Sequence, residues 1–534
     1  MTFSMPRSKV LKDRRDLLAF AAGCVAVTGG VLLHLPMFLM GRDMGYRLAD
    51  MPMDSGMLWG MALIVGGIAL AAYGVLPKAL TAAGASRIKV TPPEDAPLTP
   101  AHIGLMVVLV VALVIDVMKP ASLGFVVPGM IKEYGVPKAT VAWLPFAALV
   151  GTVTGSILWG VLADLYGRKA TILLSAIMFV GTSICGAMPS LWWNVGMCFL
   201  MGAAAGGMLP VTYALLAETM PSRHRGWSLV LVGGLGSIGG YLLASGLSSV
   251  LQPLFGWRIM WFLNLPTGLI LILLGGLIPE SAKFLLLLGR TDEAHATLRR
   301  FGSVVTEAAD EPEEPPAHDH VPIPVVGGGL AGLTVALSVI ALAWGLVNFG
   351  LLLWLPQHLV AEGYSMALTG KLLAQSALIA VPTVFLAALL YSRWSTKGAL
   401  IVMIIVTGLG LAGVLQLERS AGTMSPILPV ALLIIGSNGV VAILLPYAAE
   451  SYPLRVRGRA TGWVAGCTKA GGLIPQMLGI AAAIPPLGVA AAAIMVPIAL
   501  AVVLTIRFGS ETRGRDLRDL DGPAPNAPPQ TELA

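Results

Sequence analysis

Two charged side chains with spacing suited to chemistry lie inside one apolar stretch of this 534-residue chain: Asp116 and Lys119. Ionisable groups in such stretches are energetically costly and are candidates for functional sites. The two residues are three positions apart, so they share one face of a helix, and Pro120 then frees backbone carbonyl groups. Asp116 carries a proton, or it forms a static ion pair with Lys119; the spacing leaves both alternatives open.

A third intramembrane charge, Lys469, lies in a later apolar stretch. It binds an anionic substrate, or its ammonium group extends along the helix to the membrane surface. Four uncharged polar side chains in other apolar stretches complete the candidates for binding a substrate or a proton, and each of them could instead join two helices by hydrogen bonds. They are Tyr213, Asn348, Asn438 and Gln476.

Membrane-spanning helices must position these residues. The chain is 56% hydrophobic and 12% charged, against about 25% charged in soluble proteins, and its mean hydropathy is +0.82. This composition excludes both a soluble globular fold and a disordered chain. The lipid bilayer is therefore a partner, and the net charge of +6 indicates basic cytoplasmic loops, with no nucleic-acid partner. All four cysteines lie in apolar stretches, so no disulfide framework is expected.

Fourteen stretches are long enough to cross the membrane, each with about 20 apolar residues. Basic residues precede the first stretch, which has no convincing signal-peptide cleavage site, and most of the 34 lysines and arginines then fall on the cytoplasmic side. Both termini are expected in the cytoplasm. The expected spans are 17–40, 57–76, 103–128, 139–163, 170–188, 191–215, 227–250, 257–278, 328–355, 366–391, 398–417, 426–447, 459–482 and 485–508.

The spans divide into an extra pair followed by two sets of six. Residues 307–320 are acidic and rich in proline, which is typical of a flexible linker, so His318 and His320 are interpreted as solvated residues. The methionines around His34 are interpreted as packing residues, and neither a metal nor a cofactor is expected. The expected regions are 1–97 (cytoplasmic N-terminus and extra pair), 98–279 (first six-helix bundle), 280–327 (cytoplasmic linker), 328–508 (second bundle) and 509–534 (cytoplasmic tail).

An internal repeat relates the two sets of six spans. The pattern A-E-[TS]-x-P-x-R-x-R-G occurs at residues 217–226 and again at 449–458. Pro279-Glu280-Ser281 and Ser510-Glu511-Thr512 form a second pair at nearly the same offset. Two similar halves indicate a transporter whose site lies at their interface near the membrane midplane.

Several of these segments resemble the major facilitator superfamily of transporters, over about residues 100–515. Residues 160–169 (GVLADLYGRK) resemble the family's loop between the second and third helices. Residues 279–285 and 511–515 resemble segments of sugar porters and metabolite:proton symporters, and residues 446–453 resemble the organic-ion and aromatic-acid symporters. The resemblance implies an all-α fold of six plus six helices, to which the extra pair adds two.

The resemblance also implies a network that latches the cytoplasmic side when the carrier faces outward. Gly160 and Gly167 allow close helix approach and a tight turn, and the arginines can form bidentate pairs with the carboxylates. The basic residues could instead only mark topology. In the second half, Ser392 replaces the acid and Ser395 the glycine, so that latch is expected to be weaker or differently made. The gating candidates are Gly160, Asp164, Gly167, Arg168, Lys169, Glu218, Arg225, Glu280, Glu450 and Arg457.

The expected function is secondary active transport of a small organic solute (an organic or aromatic acid, or a sugar-like metabolite) by a monomer in the plasma membrane, through proton-coupled symport and alternating access. The chain is not expected to be an enzyme, because it has no zinc-protease, nucleophile-elbow or P-loop motif. Cys198 stands where many proton-coupled relatives carry an arginine. A drug or metabolite efflux antiporter and a non-transporting membrane sensor are the alternatives.

Overall fold

The chain folds into packed helices, as expected where every backbone polar group must be satisfied inside a bilayer. The computed structural model describes residues 14–76, 88–89, 97–287, 289–302, 306–307, 328–420, 424–452 and 454–513. Within these ranges, twelve helices are long and apolar enough to cross a membrane. Helices also occupy the two remaining predicted positions, residues 257–278 and 459–482, so the all-helical prediction is confirmed.

The first two long helices form an antiparallel pair that we call the N-terminal hairpin, residues 14–75. Asp54 caps the second of them by accepting a hydrogen bond from the Met57 amide, which fixes where that helix begins. The hairpin consists of α1 (Arg14–Leu32), α2 (Leu35–Met40), a 3₁₀ turn (Gly41–Met44) and α3 (Ser55–Val75).

The first half of the repeat then follows. Its helices are α4 (Pro100–Tyr134), α5 (Lys138–Val141), α6 (Trp143–Tyr166), α7 (Arg168–Gly181), a 3₁₀ segment (Thr182–Ala187), α8 (Leu191–Ala205), α9 (Met208–Thr219), α10 (Ser222–Phe255), α11 (Ile259–Phe262) and α12 (Asn264–Gly275). Two short amphipathic helices come next, α13 (Ala282–Leu287) and α14 (Thr291–Arg300). The strands β1 (Ile88–Lys89) and β2 (Thr306–Glu307) pair antiparallel.

The second half has the same order of long helices. They are α15 (Gly328–Gly345), a π-helical segment (Leu346–Leu352), α16 (Leu355–Ala361), α17 (Met366–Leu389), a second π-helical segment (Leu390–Trp394), α18 (Thr396–Arg419), α19 (Ile427–Ser451), α20 (Leu454–Ile480) and α21 (Leu487–Phe508). α10 packs along α17 and α19, α6 along α20, and α4 against α16, so these contacts join the halves.

Helix α4 carries Asp116 and Lys119 at the centre of this arrangement. It continues through both Pro120 and Pro128, so the proline removes backbone hydrogen bonds without ending the helix. Ser122 donates its hydroxyl to the Met118 carbonyl at 2.8 Å. The Pro120 position is therefore a locally weakened part of one long helix.

The expectation of close helix approach at Gly160 is wrong, because a Cβ atom there would meet no neighbouring helix within 4 Å in the part of the chain that the structure describes. The close approach between α6 and α8 occurs at other glycines. A Cβ on Gly202 would lie 2.0 Å from the Ala148 carbonyl oxygen, and one on Gly155 would lie 2.2 Å from that of Ala203. Small residues permit this contact, and the sequence pattern that singles out Gly160 does not report it.

Candidate functional site

A cluster of charged side chains lies inside the bundle, which we call the central charge cluster: Asp116, Lys119 and Lys469. The Lys119 ammonium nitrogen lies 3.8 Å from a carboxylate oxygen of Asp116, and these side chains are 1% and 9% exposed. The ammonium group also lies over the Phe179 ring of α7, 2.8 Å from its centroid. Neither Lys119 Nζ nor Asp116 Oδ1 has a hydrogen-bond partner among the described residues, so both atoms retain unused capacity.

Lys469 joins this cluster from the other half of the molecule. Its charge interacts with that of Asp116, although the two residues lie on α20 and α4. Its ammonium group is 5.4 Å from the centre of the Phe349 ring, within range of a cation–π contact. Lysine charges from both halves therefore act on one carboxylate.

Asn348 and Gln476 shape the backbone that carries Phe349. Asn348 lies in the π-helical segment and donates to the Trp344 carbonyl at 3.3 Å. Gln476 donates to the Phe349 carbonyl and accepts a hydrogen bond from the Trp354 indole at 3.2 Å. Since π-helical turns depart from the regular hydrogen-bond ladder, Gln476 holds the irregular turn against α20, and Asn348 bonds within its own helix.

Asn438 lines a small cavity between α10, α17, α18 and α19. Its amide donates to the Ile434 carbonyl at 2.9 Å, which leaves its oxygen available to the cavity. Tyr213 packs against α10 close to the same region, because a Cβ built on Gly233 would lie 1.9 Å from its hydroxyl. The cavity borders both halves, and Asn438 supplies a polar group there.

Four buried or half-buried aromatic side chains are further candidates that the sequence analysis missed: Phe179, Phe349, Trp344 and Tyr241. Phe179 and Phe349 cover the two ammonium groups, and Trp344 packs edge-on to Phe349 while donating to the Ser437 carbonyl at 2.8 Å. Tyr241 has a buried hydroxyl with no hydrogen-bond partner in the described chain. Aromatic residues are common in apolar spans, so only the packing distinguishes these four.

A first carboxylate cluster lies where α7 begins. Glu280 is 2% exposed and accepts backbone hydrogen bonds from Arg168 at 2.8 Å, Lys169 at 3.4 Å and Ser281 at 3.0 Å. A carboxylate at a helix N-terminus is favoured by the helix dipole. Burial raises the pKa of Glu280 above its usual range, and these amide hydrogen bonds offset part of the rise.

Glu218 connects this cluster to α9. It accepts a hydrogen bond from the Ser281 hydroxyl at 2.6 Å and forms an ion pair with Arg168 at 3.3 Å. Gly167 has a φ of +96° and contacts Glu280, such that a Cβ there would lie 2.7 Å from a carboxylate oxygen. Glycine is the residue suited to that backbone conformation, and it permits the tight turn between α6 and α7.

A second carboxylate cluster repeats this arrangement in the other half. Glu511 accepts hydrogen bonds from the Thr396 amide at 2.9 Å and hydroxyl at 2.7 Å, and from the Ser395 hydroxyl, at the start of α18. Burial alone would raise the pKa of Glu511, but the hydrogen bonds from Ser395, Thr396 and Arg513 lower it to about 2. Ser395 therefore acts as a donor in place of the glycine of the first half.

Glu450 corresponds to Glu218 in the repeat. It accepts hydrogen bonds from Thr512 at 2.9 Å and from the Tyr391 hydroxyl at 2.6 Å. The charge of Arg225, in the first half, acts on Glu450, and Gly226 packs against Tyr391. The halves therefore meet at this end through the second cluster. The side chains of Asp164 and Arg457 lie outside the described residues.

The arrangement can bind an anion and exchange a proton. When all three groups of the central charge cluster are ionised, two ammonium groups face one carboxylate, and one positive charge is uncompensated. Buried charges require partners, so a bound carboxylate would pair with an ammonium group of the cluster and would compete with Asp116 for the positive charges. The adjacent rings offer aromatic faces to the remainder of such a ligand.

The family model described as Major Facilitator Superfamily matches residues 103–475. The N-terminal hairpin lies outside that match. Among curated proteins, the chain is 25% identical over 446 residues to the niacin transporter NiaP of Acinetobacter baylyi, which covers 80% of this chain and 98% of the relative. It is 31% identical over 434 residues to the 4-hydroxybenzoate transporter PcaK of Pseudomonas putida, covering 76% and 92% of the two chains.

Solved structures share the fold. The xylose transporter XylE from E. coli, in a partially occluded inward-open conformation, superposes with a TM-score of 0.63 at 16% identity, covering 78% of this chain and 100% of that one. The proton:xylose symporter XylE bound to 6-bromo-6-deoxy-D-glucose gives a TM-score of 0.62, covering 79% and 98%.

Proposed function

The chain belongs to the Major Facilitator Superfamily, and we propose that it carries a small aromatic carboxylate across the plasma membrane together with a proton. It is a multi-pass membrane transporter and not an enzyme. The observation that carries the proposal is the grouping of one carboxyl group with two lysines in the central charge cluster: Asp116 lies 3.8 Å from Lys119 and interacts electrostatically with Lys469.

The substrate carboxylate pairs with Lys469. Lys119 already has Asp116 beside it on the same helix, whereas Lys469 lies on α20 and its charge interacts with that of Asp116. Charge-assisted hydrogen bonds to an ammonium group contribute about 1.5–3 kcal/mol. The aromatic ring of the substrate then packs among Phe349 and its neighbours. Relatives named for niacin and 4-hydroxybenzoate support this substrate class.

Asp116 couples the proton to the substrate. When the substrate carboxylate occupies Lys469, Asp116 loses one of its two counterions, and its ionised form becomes less stable. Asp116 then takes up a proton, which is released when the site opens to the other side. Asn348, Gln476, Asn438 and Tyr213 shape the surrounding surface.

Alternating access follows from rocking of the first bundle (98–279) against the second (328–508), with the carboxylate clusters closing the cytoplasmic end. Both termini lie in the cytoplasm, and the protein acts as a monomer.

The carboxylate clusters act as two latches. The first latch consists of Asp164, Gly167, Arg168, Lys169, Glu218 and Glu280, and the second of Arg225, Glu450 and Arg457. Asp164→Asn should reduce uptake far more than Ser392→Ala, and equal losses would contradict this latch.

Uptake by purified protein in proteoliposomes tests the coupling. With an inward proton gradient, the protein should accumulate nicotinate or 4-hydroxybenzoate and not xylose. Asp116→Asn should abolish that accumulation while exchange of substrate across the membrane persists. Glu362→Gln is the matched control, because the Glu362 side chain is 46% exposed and should have no effect. Normal gradient-driven accumulation by Asp116→Asn would remove this residue from the coupling role.

Substrate binding by itself is tested separately. Lys469→Met should weaken binding of the aromatic acid by about 10-fold or more, which corresponds to the loss of one charged hydrogen bond. The thermal stabilisation that the acid produces should fall accordingly. Lys371→Met, which alters an exposed lysine of α17, should leave it unchanged. Stabilisation of the wild-type protein by xylose, with none by any aromatic acid, would contradict the proposed substrate class.

A further inference from the structure

The N-terminal hairpin is held together by glycines that recur every seven residues. Gly23 and Gly30 of α1 face Gly67 and Gly60 of α3, and Gly74 of α3 packs against the backbone of Asp16 and Phe20. A Cβ on Gly30 would lie 2.5 Å from the Gly60 carbonyl oxygen, and one on Gly67 would lie 2.8 Å from that of Gly23. Glycines along such a seam let two helix backbones approach closely, so α1 and α3 form one tightly packed unit.

This unit packs on α7 of the first half. A Cβ on Gly181 would lie 2.9 Å from a side-chain carbon of Ile64, so α3 and α7 are in direct contact. One buried apolar cluster contains Val27 and Ile64 of the hairpin together with Leu174 and Ile177 of α7. The side chain of Phe38 also packs against a ring of the first half, Phe262, at 4.9 Å.

The loop of the hairpin supplies hydrogen bonds to a buried carboxylate of α4. Glu133 accepts the backbone N–H groups of Leu48 and Ala49 at 2.7 and 3.0 Å. The same carboxylate forms an ion pair with Arg258 at 2.7 Å and accepts the Trp257 indole N–H at 2.7 Å. Two of its four described donors therefore come from the hairpin.

Glu133 needs those donors because of where it lies. It is in the last turn of α4, where the helix dipole disfavours a negative charge, and its side chain is 5% exposed. Arg258 is fully buried and also donates to the Met188 carbonyl at 2.8 Å and the Tyr134 hydroxyl at 3.1 Å. An ion pair this deeply buried is stable only when its remaining hydrogen bonds are made.

We propose that the N-terminal hairpin is a fixed part of the first half, and that its loop completes the Glu133 site. The hairpin therefore holds the end of α4, the helix that carries Asp116 and Lys119, and moves with that half as one rigid body. Its binding partner is the surface formed by α7, α11 and the Glu133 carboxylate. This assignment concerns attachment and positioning, and it does not depend on which solute is carried.

Proteolysis of the folded full chain tests the attachment. A protease site inserted between residues 76 and 88, before the β1–β2 pair, allows the hairpin to be cut from the purified protein in mild detergent. The cut hairpin should remain bound and co-elute in equimolar amount on gel filtration. Separation of the hairpin from the wild-type protein would overturn the proposal. No substrate enters this measurement, so its result is independent of the proposed transport activity.

Variants of the carboxylate test the role of the loop. Glu133→Gln removes the charge that the two amides stabilise, and retention of the cut hairpin should fall by at least twofold. Glu362→Gln is the control. If Glu133→Gln does not fold, the paired replacement Glu133→Leu with Arg258→Met removes both buried charges, and it should also reduce retention. Full retention in the folded variant would show that the apolar seam alone holds the hairpin, contrary to the proposal.

A covalent lock tests the rigid-body motion. In a background with the four native cysteines replaced by alanine, Ile64→Cys and Gly181→Cys place two thiols within disulfide range. The locked protein should exchange substrate at a rate within twofold of the same variant after reduction. A loss of more than 10-fold that reduction reverses would show that the hairpin must move relative to α7 during transport, and would overturn the proposal.

Discussion

The Asp116–Lys119 pair offers a quantitative test, because its two charges stabilise one another in a nearly dry interior. At 3.8 Å and an effective dielectric constant of about 20, the attraction between unit charges is about 4 kcal/mol. Removing one partner leaves the other buried without its counterion, which typically costs about 3–5 kcal/mol. Asp116→Asn and Lys119→Met should therefore each lower the free energy of unfolding by at least about 3 kcal/mol.

The two losses should differ in size. Asp116→Asn also removes the attraction to Lys469, so it should be the more destabilising change. Lys119→Met leaves Asp116 with Lys469. The double variant removes the pair together, and its loss should be smaller than the sum of the single losses by at least about 2 kcal/mol.

Chemical unfolding of the purified protein in mixed detergent micelles measures all four states of this double-mutant cycle. Lys132→Met is the matched control, because Lys132 is exposed on the same helix, and surface substitutions change stability by about 0.5 kcal/mol or less. Additive losses, with a coupling energy below about 0.5 kcal/mol, would refute the pairing of these charges.

Three further predictions concern the carboxylate clusters and the helix contacts. Glu280→Ala should lower the free energy of unfolding by about 3 kcal/mol, because it leaves buried amides of α7 unpaired. Glu280→Gln keeps a hydrogen-bond acceptor and should lower the free energy of unfolding by only about 1 kcal/mol. Equal decreases for the two variants in denaturant titrations would contradict this role of Glu280. Gly202→Ala should lower the free energy of unfolding by about 1–3 kcal/mol, because the added methyl group overpacks the helix contact. Gly160→Ala adds a methyl group where the described chain leaves open space, so it should leave the melting temperature unchanged. Because folding lowers the pKa of Glu511 from 4.5 to about 2, its carboxylate stabilises the fold above pH 4.5, and that contribution is lost as the pH falls towards 2. Glu511→Gln should therefore flatten the profile of stability against pH between these values. An unchanged profile would contradict this role of Glu511.

Much of the architecture could be read from the chain without coordinates. Apolar stretches of about 20 residues locate membrane helices, because no water is available there to satisfy the backbone. The repeated A-E-[TS]-x-P segment predicted equivalent positions in two halves, and the structure gives them the same contacts, Ser281 with Glu218 and Thr512 with Glu450. The family resemblance followed from the same local motifs and is confirmed by the family match.

The candidate site was only partly predictable. Asp116, Lys119 and Lys469 stand out because a charge within an apolar stretch is rare and costly. Phe179, Phe349 and Tyr241 carry no such signal, because aromatic residues are ordinary in membrane helices. The contact between the hairpin loop and Glu133 is even harder to predict from the sequence. Its donors are backbone amides, which nearly every residue possesses and which no sequence pattern marks.

The amino-acid sequence by itself determined the membrane location, the positions of the long apolar helices, the duplication and the three intramembrane charges, because these depend on the composition of short segments and on local spacing. Tertiary structure alone decided that the charge of Lys469 acts on Asp116, that Ser395 replaces a glycine by donating to Glu511, and that Gly202 rather than Gly160 sits at a helix crossing. Those outcomes depend on how helices far apart in the chain rotate and pack against each other, and the rotation of a helix about its axis is fixed by its neighbours.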